Sequence, residues 1–205
     1  MRNLAALLAC SACTGWCPQP APKHRGAHRA TDDHEHPAAL GATDAAWQDF
    51  WQDLAARPEI RDAWRRAPCV LKGIAPADAL TLEALTQAVD ADPSTLDDAA
   101  RVAHGASQGW TNVALDDDAR PSRRLRASSS KASVLLNHGG VAFPSLLGGA
   151  CRAALDAFEQ PAGLNVYLTG DRVEKAAPPH TDRQEVFVVQ CAGAKRWRVF
   201  ASASA

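Results

Sequence analysis

The sequence predicts an α+β fold in which helices come first and strands gather toward the C-terminal end. Three observations carry this expectation. Capped, amphipathic stretches occupy much of residues 43–105, and β-branched runs such as LNVYLT (Leu164–Thr169) and EVFVVQC (Glu185–Cys191) dominate the last quarter. The third is size: 205 residues, 46% hydrophobic and 22% charged, suffice for one domain with a real core. A formal net charge of -1 speaks against a bulk nucleic-acid-binding surface.

The first forty or so residues read as lying outside that fold. MRNLAALLACSACTGWC has a positive start and an apolar run from Leu4 to Ala12, too short to span a bilayer. No acid precedes Asp32, whereas Arg2, Lys23, Arg25 and Arg29 do. Three readings stand side by side: a secretory signal peptide, an organelle transit peptide, or an unprocessed tail. Residues 1–42 are therefore assigned to a disordered leader or targeting segment. Cys10, Cys13 and Cys17 have metal-like spacing, but Pro18, Pro20 and Pro22 follow and no structured frame is evident. The tract with His24, His28, His34 and His36 lacks apolar periodicity and reads as a solvated linker. Cys69, Cys151 and Cys191 stand in apolar contexts and read as buried thiols.

Ordered structure is expected from Thr43. Thr43 or Asp44 can cap a helix whose apolar face is Trp47, Phe50, Trp51 and Leu54, spaced at i, i+3, i+4 and i+7. Pro58 ends or kinks it. Pro68 introduces CVLKGI (Cys69–Ile74), which reads as a strand bounded by Gly73. Two further helices are expected, from about Asp78 to Val89 and from Ser94 toward His104. WTNVAL (Trp110–Leu115) reads as a strand. DDDARPSRRLRASSSKAS, residues 116–133, reads as an exposed loop insertion, with a phosphorylation or localisation segment as the alternative. VLLN (Val134–Asn137) reads as a strand and Pro144–Phe158 as a helix with proline in its first turn. LNVYLT follows as a strand, and Glu185–Cys191 with Lys195–Phe200 as a strand pair around Ala192, Gly193 and Ala194.

The chemistry-bearing segment is PPHTDRQEVFVVQCAGAKRWRVF, residues 178–200. Its two prolines favour an extended approach to His180. In extended chain, residues two apart face the same way, so His180 and Asp182 can converge on one ion. A mixed imidazole and carboxylate pair belongs to the 2-His-1-carboxylate triad of non-haem Fe(II), whereas structural zinc calls for more thiolates. A surface salt bridge is the plainer alternative. On alternation Lys195 shares a face with Trp197 and Val199, which suits a buried cation able to hold a carboxylate. The plainer alternative for it is an exposed basic edge with Arg196 and Arg198.

Taken together, this segment resembles the core motif of the JmjC-type, cupin-4 ribosomal oxygenases, and LNVYLT is similar to the Asn-x-Tyr-x-Thr strand preceding it in that family. RRAPCVLKGI behind the aromatic helix resembles the family's opening. The similarity runs over about residues 44–200 and is dense over 164–200. It implies N-terminal helices leading into a double-stranded β-helix, or jelly-roll, core, with Fe(II) as metal and 2-oxoglutarate as cosubstrate. By motif position His180 and Asp182 become metal ligands, Lys195 the partner of the 2-oxoglutarate distal carboxylate, and Asn165 and Tyr167 pocket residues. Residue 181 is Thr where the family carries an aromatic, and GDRVEKAA is poorer in glycine than the family's loop. The family's distal histidine and closing strands would lie after Ala205, so residues 43–205 are expected to be the N-terminal part of such a domain.

The resemblance implies a protein hydroxylase of ribosomal-oxygenase type, or a histone lysine demethylase, with a protein substrate and a dimer as one option for the full-length form. The alternative is a catalytically inactive cupin-like scaffold. Location stays open between nucleus or nucleolus by family and an organelle or the secretory route by leader.

Overall fold

The computed structural model describes residues 3–10, 41–76, 78–94, 100–103, 110–112, 120–174, 176–177, 179–182 and 184–200. Helices α1 (Asp44–Ala56), α2 (Pro58–Ala63), α3 (Leu82–Ala91), α4 (Pro121–Lys131), α5 (Gly139–Ala142) and α6 (Pro144–Phe158) pack on a sheet of six strands. The strands are β1 (Asn3–Cys10), β2 (Ala100–Ala103), β3 (Trp110–Asn112), β4 (Ser133–Leu136), β5 (Ala162–Thr169) and β6 (Glu185–Ala192). Their order is β3-β2-β4-β5-β1-β6, and every pairing is antiparallel. The described strands thus make one open layer, a mixed helix-and-strand architecture in keeping with the α+β expectation.

Local chemistry explains the helices. The Thr43 hydroxyl accepts the Ala46 amide at 3.2 Å and caps α1, and Thr81 does the same for Ala84 at 3.0 Å in α3. Trp47 and Trp51 are 1% exposed and Leu54 4%, so the aromatic stripe is a buried face. In α6, Pro144 sits in the first turn and Glu159 closes the helix in a left-handed conformation, φ 52. Gly149 on α6 lets the start of α1 come close: a Cβ there would land on the Asp44 carboxylate, which pairs with Arg152 at 2.9 Å.

Alternation divides the sheet's two faces. Val134, Leu136, Leu164, Val166 and Leu168 join Trp47, Trp51, Leu85, Leu125, Leu147 and Phe158 in the main core under the helices. Leu135 and Tyr167 form a second, smaller cluster on the opposite face with Val186 against it. There, too, the Ser133 and Thr169 hydroxyls meet at 2.7 Å, buried and satisfied.

Several expectations change. Asn3–Cys10, assigned to the leader, is β1 and lies inside the sheet, paired with β5 on one side and β6 on the other. A run that is apolar from Leu4 to Cys10 suits a sheet strand as well as a targeting segment, and two open ladders decide between them. Residues 121–131 are helical, and 133 begins β4; within the expected loop insertion only 116–119 fall outside the described residues. The helix forms because Leu125 and Ser129, both 0% exposed, dock inward while Asp90 caps it from α3. The Ser122 amide and hydroxyl donate to the two Asp90 carboxylate oxygens at 2.9 and 2.7 Å. Those two bonds, the hydroxyl's first, hold the Asp90 carboxyl below its usual range.

Ala100–Ala103, expected in a helix, pairs with β4 as β2, while 95–99 lie outside the described residues. Trp110–Asn112 is a strand, as expected for the start of WTNVAL. CVLKGI forms no strand: Cys69 is exposed and Val70 is 80% exposed, which also corrects the expected burial of that thiol. Cys151 and Cys191 are partly buried. Residues 194–200 also form no strand, so the expected pair at the C-terminal end is a single strand, β6, with an irregular continuation.

An interior strand donates amides to both neighbours, so proline in it removes a ladder bond wherever it falls. Ala6→Pro should therefore abolish cooperative urea unfolding or lower its midpoint sharply; an unchanged midpoint would mean that Asn3–Cys10 is dispensable. Leu125→Ala should cost about 2–5 kcal/mol in the same assay, whereas exposed Arg123→Ala should stay within about 0.5 kcal/mol.

Candidate metal and anion site

The second face of the sheet carries the candidate site. Successive side chains of β5 alternate, so Asn165, Tyr167 and Thr169 share the face opposite Leu164, Val166 and Leu168. Tyr167 is 8% exposed and Thr169 2%. After β6 the chain turns at Gly193, φ 70, a conformation glycine adopts without strain. This turn brings Lys195 back without a paired strand. Its Nζ stands 5.5 Å from the centroid of the Tyr167 ring, a cation–π distance.

Burial pushes the Lys195 ammonium down to a pKa of about 8. Burial, and then the Asp182 carboxylate, push the Tyr167 phenol up to about 12. Asp182 is thus within electrostatic reach of the Tyr167 phenol, whose ring Lys195 also approaches. His180 Nε2 and Asp182 Oδ2 are 3.6 Å apart, with side chains 41% and 39% exposed. Two donors bound at right angles to one ion at about 2.1 Å would be about 3 Å apart, so a small rotation closes this pair on a cation. Among the described residues no third His, Cys, Asp or Glu joins it. The pair therefore fits a metal as two donors of a larger set.

Four of the five residues singled out from sequence are thus drawn together: Tyr167 meets Lys195 directly and Asp182 electrostatically, and His180 pairs with Asp182. Asn165 shares their face, but its Oδ1 accepts the His138 backbone amide at 3.1 Å. That bond fixes the left-handed turn, φ 54, between β4 and α5. Sequence reasoning missed a contact next to the site: Arg65 Nε donates to Glu185 Oε1 at 2.8 Å. The partners are 120 positions apart, and the position of Glu185 just after Asp182 was the only signal available.

Fold and site together define a mixed helix-and-sheet protein with an imidazole–carboxylate pair in the loop before β6 and, after it, a half-buried ammonium against the Tyr167 ring. A family model described as the JmjC domain matches residues 151–205, which contain β5, β6 and all five candidate residues. Over this quarter of the chain the protein is similar to the JmjC domain, a domain with a cupin fold that is typical of dioxygenases. No curated protein and no solved structure matches the chain.

A lysine whose pKa is lower folded than unfolded binds fewer protons in the native state between those two values. Its penalty is complete below about pH 8 and fades as pH rises toward 10.5. Lys195→Met should therefore be more stable than the parent at pH 7, and the difference should shrink between pH 8 and 10.5. Urea midpoints of both proteins across that range check this, and Tyr167, which loses stability above its ordinary pKa, cancels in the difference.

Proposed function

We propose that the chain is part of an Fe(II)- and 2-oxoglutarate-dependent oxygenase of ribosomal-oxygenase type, built on a double-stranded β-helix and acting on a protein side chain. The observation that carries this reading is the Lys195 ammonium, held half-buried against Tyr167 within reach of the face that Asp182 influences. A desolvated cation gains most from an anion, and a carboxylate of the cosubstrate would supply one. His180 and Asp182 would be two donors to iron, with a further donor from outside the described residues. When bound, the metal and cosubstrate supply the oxidising power; the chain's residues bind and orient.

In this reading Lys195 grips the distal carboxylate, and Tyr167, kept neutral to about pH 12, presents a hydroxyl that adds no charge. His180 and Asp182, both about 40% exposed, leave the metal accessible to a bulky substrate. A protein side chain, ribosomal or histone, follows from the family analogy, with hydroxylation or lysine demethylation as its chemistry. One observation favours a second reading, an inactive cupin-like scaffold: the described residues gather two donors and not three.

Titration of the full chain with Mn(II), a redox-quiet stand-in for Fe(II), followed by 2-oxoglutarate, separates the two. The oxygenase reading expects saturable Mn(II) uptake that His180→Ala and Asp182→Ala remove. It also expects Lys195→Met to keep Mn(II) but bind 2-oxoglutarate about 10–100-fold more weakly, the loss of a charge-assisted hydrogen bond worth about 1.5–3 kcal/mol. No uptake by the parent protein would favour the scaffold.

A further inference from the structure

Arg65 follows α2 with φ 57, in the left-handed region that a residue with a Cβ adopts only at a cost. The surrounding contacts over-determine this turn. The Trp64 ring stacks on Phe158 at 5.9 Å and lies 5.8 Å from Phe187. The amides of Arg66 and Ala67 both donate to the Ala63 carbonyl, at 2.9 and 3.1 Å. With the backbone turned in this way, the Arg65 guanidinium reaches Glu185 at 2.8 Å.

Glu185 is the first residue of β6 and stands three positions after Asp182. β6 is an edge strand, hydrogen-bonded among the described residues to β1 alone. Its first residues are therefore held from the helix side, by Arg65 on Glu185 and by the Trp51, Trp64 and Phe158 rings around Phe187. We propose that Arg65 is a positioning residue for the His180–Asp182 pair, fixing through Glu185 the downstream end of the loop that presents both side chains. The proposal rests on the reading of that pair as metal donors.

A half-exposed ion pair adds little to global stability, so an arginine at a helix end that reaches a glutamate 120 positions away points to geometry instead. Residues that orient metal ligands from behind typically change affinity 10–100-fold when removed. Arg57–Asp53, at the C-terminal end of α1, is a comparable exposed pair, at 2.7 Å, and serves as the control.

The test compares Arg65→Met, Arg65→Lys and Arg57→Met with the parent in the full chain. Hydrogen exchange of the peptide covering Asp182–Val189 and Mn(II) affinity are read together. Arg65→Met should speed exchange in that peptide at least about tenfold and weaken Mn(II) about 10–100-fold. Its thermal midpoint should stay within a few degrees of the parent's. Arg65→Lys, which keeps the cation, should recover much of both effects, and Arg57→Met should show neither. Unchanged exchange at Asp182–Val189 in Arg65→Met overturns the proposal, as does faster exchange spread over the whole chain, which would make Arg65 merely structural. Failure of the parent to bind Mn(II) overturns the metal reading instead, and the exchange comparison still decides whether Arg65 holds the loop.

Discussion

The contact on which the rest depends is Phe187 set among Trp51, Trp64 and Phe158, at centroid distances of 5.5, 5.8 and 4.9 Å. One ring comes from β6, one from α1, one from the turn after α2 and one from α6. Each such pair contributes about 0.5–1.5 kcal/mol beyond the area it buries. More consequential is where they act. β6 has a strand on one side only among the described residues, so this cluster attaches the start of the edge strand to the helical layer. The loop bearing His180 and Asp182 runs directly into that start.

A second constraint follows from the pleat of β5. Its odd and even residues serve different purposes, Leu164, Val166 and Leu168 in the core and Asn165, Tyr167 and Thr169 on the site face. Burial on the core face secures the strand, which leaves the other face able to carry groups that lower stability. Lys195 is such a group, its ammonium pushed down to about 8 by burial alone. Tyr167 softens that penalty by offering its ring face to the cation. An ammonium placed this way is preorganised for an anion, because part of its desolvation has already occurred on folding.

Much of this was legible in advance. The Thr43 cap and the Trp47, Trp51, Leu54 stripe mark α1; Pro144 marks the start of α6; the apolar runs mark β5 and β6 to within two residues at each end. In each case local chemistry and tertiary placement agree. Where they conflict, the tertiary partner wins. Asp90 and a buried Leu125 turn an arginine- and serine-rich tract into α4, against its composition. Ala100–Ala103 becomes β2 because β4 offers a free ladder. Asn3–Cys10 becomes β1 because β5 and β6 leave a gap one strand wide, which no local pattern reports.

By itself, the sequence determined which residues could do chemistry: an imidazole and a carboxylate two positions apart, a lysine in phase with apolar neighbours, and a tyrosine at an alternating position of a strand. Those are properties of residue type and period, and they survive any arrangement of the rest. Tertiary structure alone decided that Lys195 lies over Tyr167, that Asp182 acts on the same phenol, that Asn165 holds the His138 turn, and that Arg65 ties α2 to Glu185. The reason is that each joins segments far apart in the chain, and periodicity carries no information about which distant segments meet.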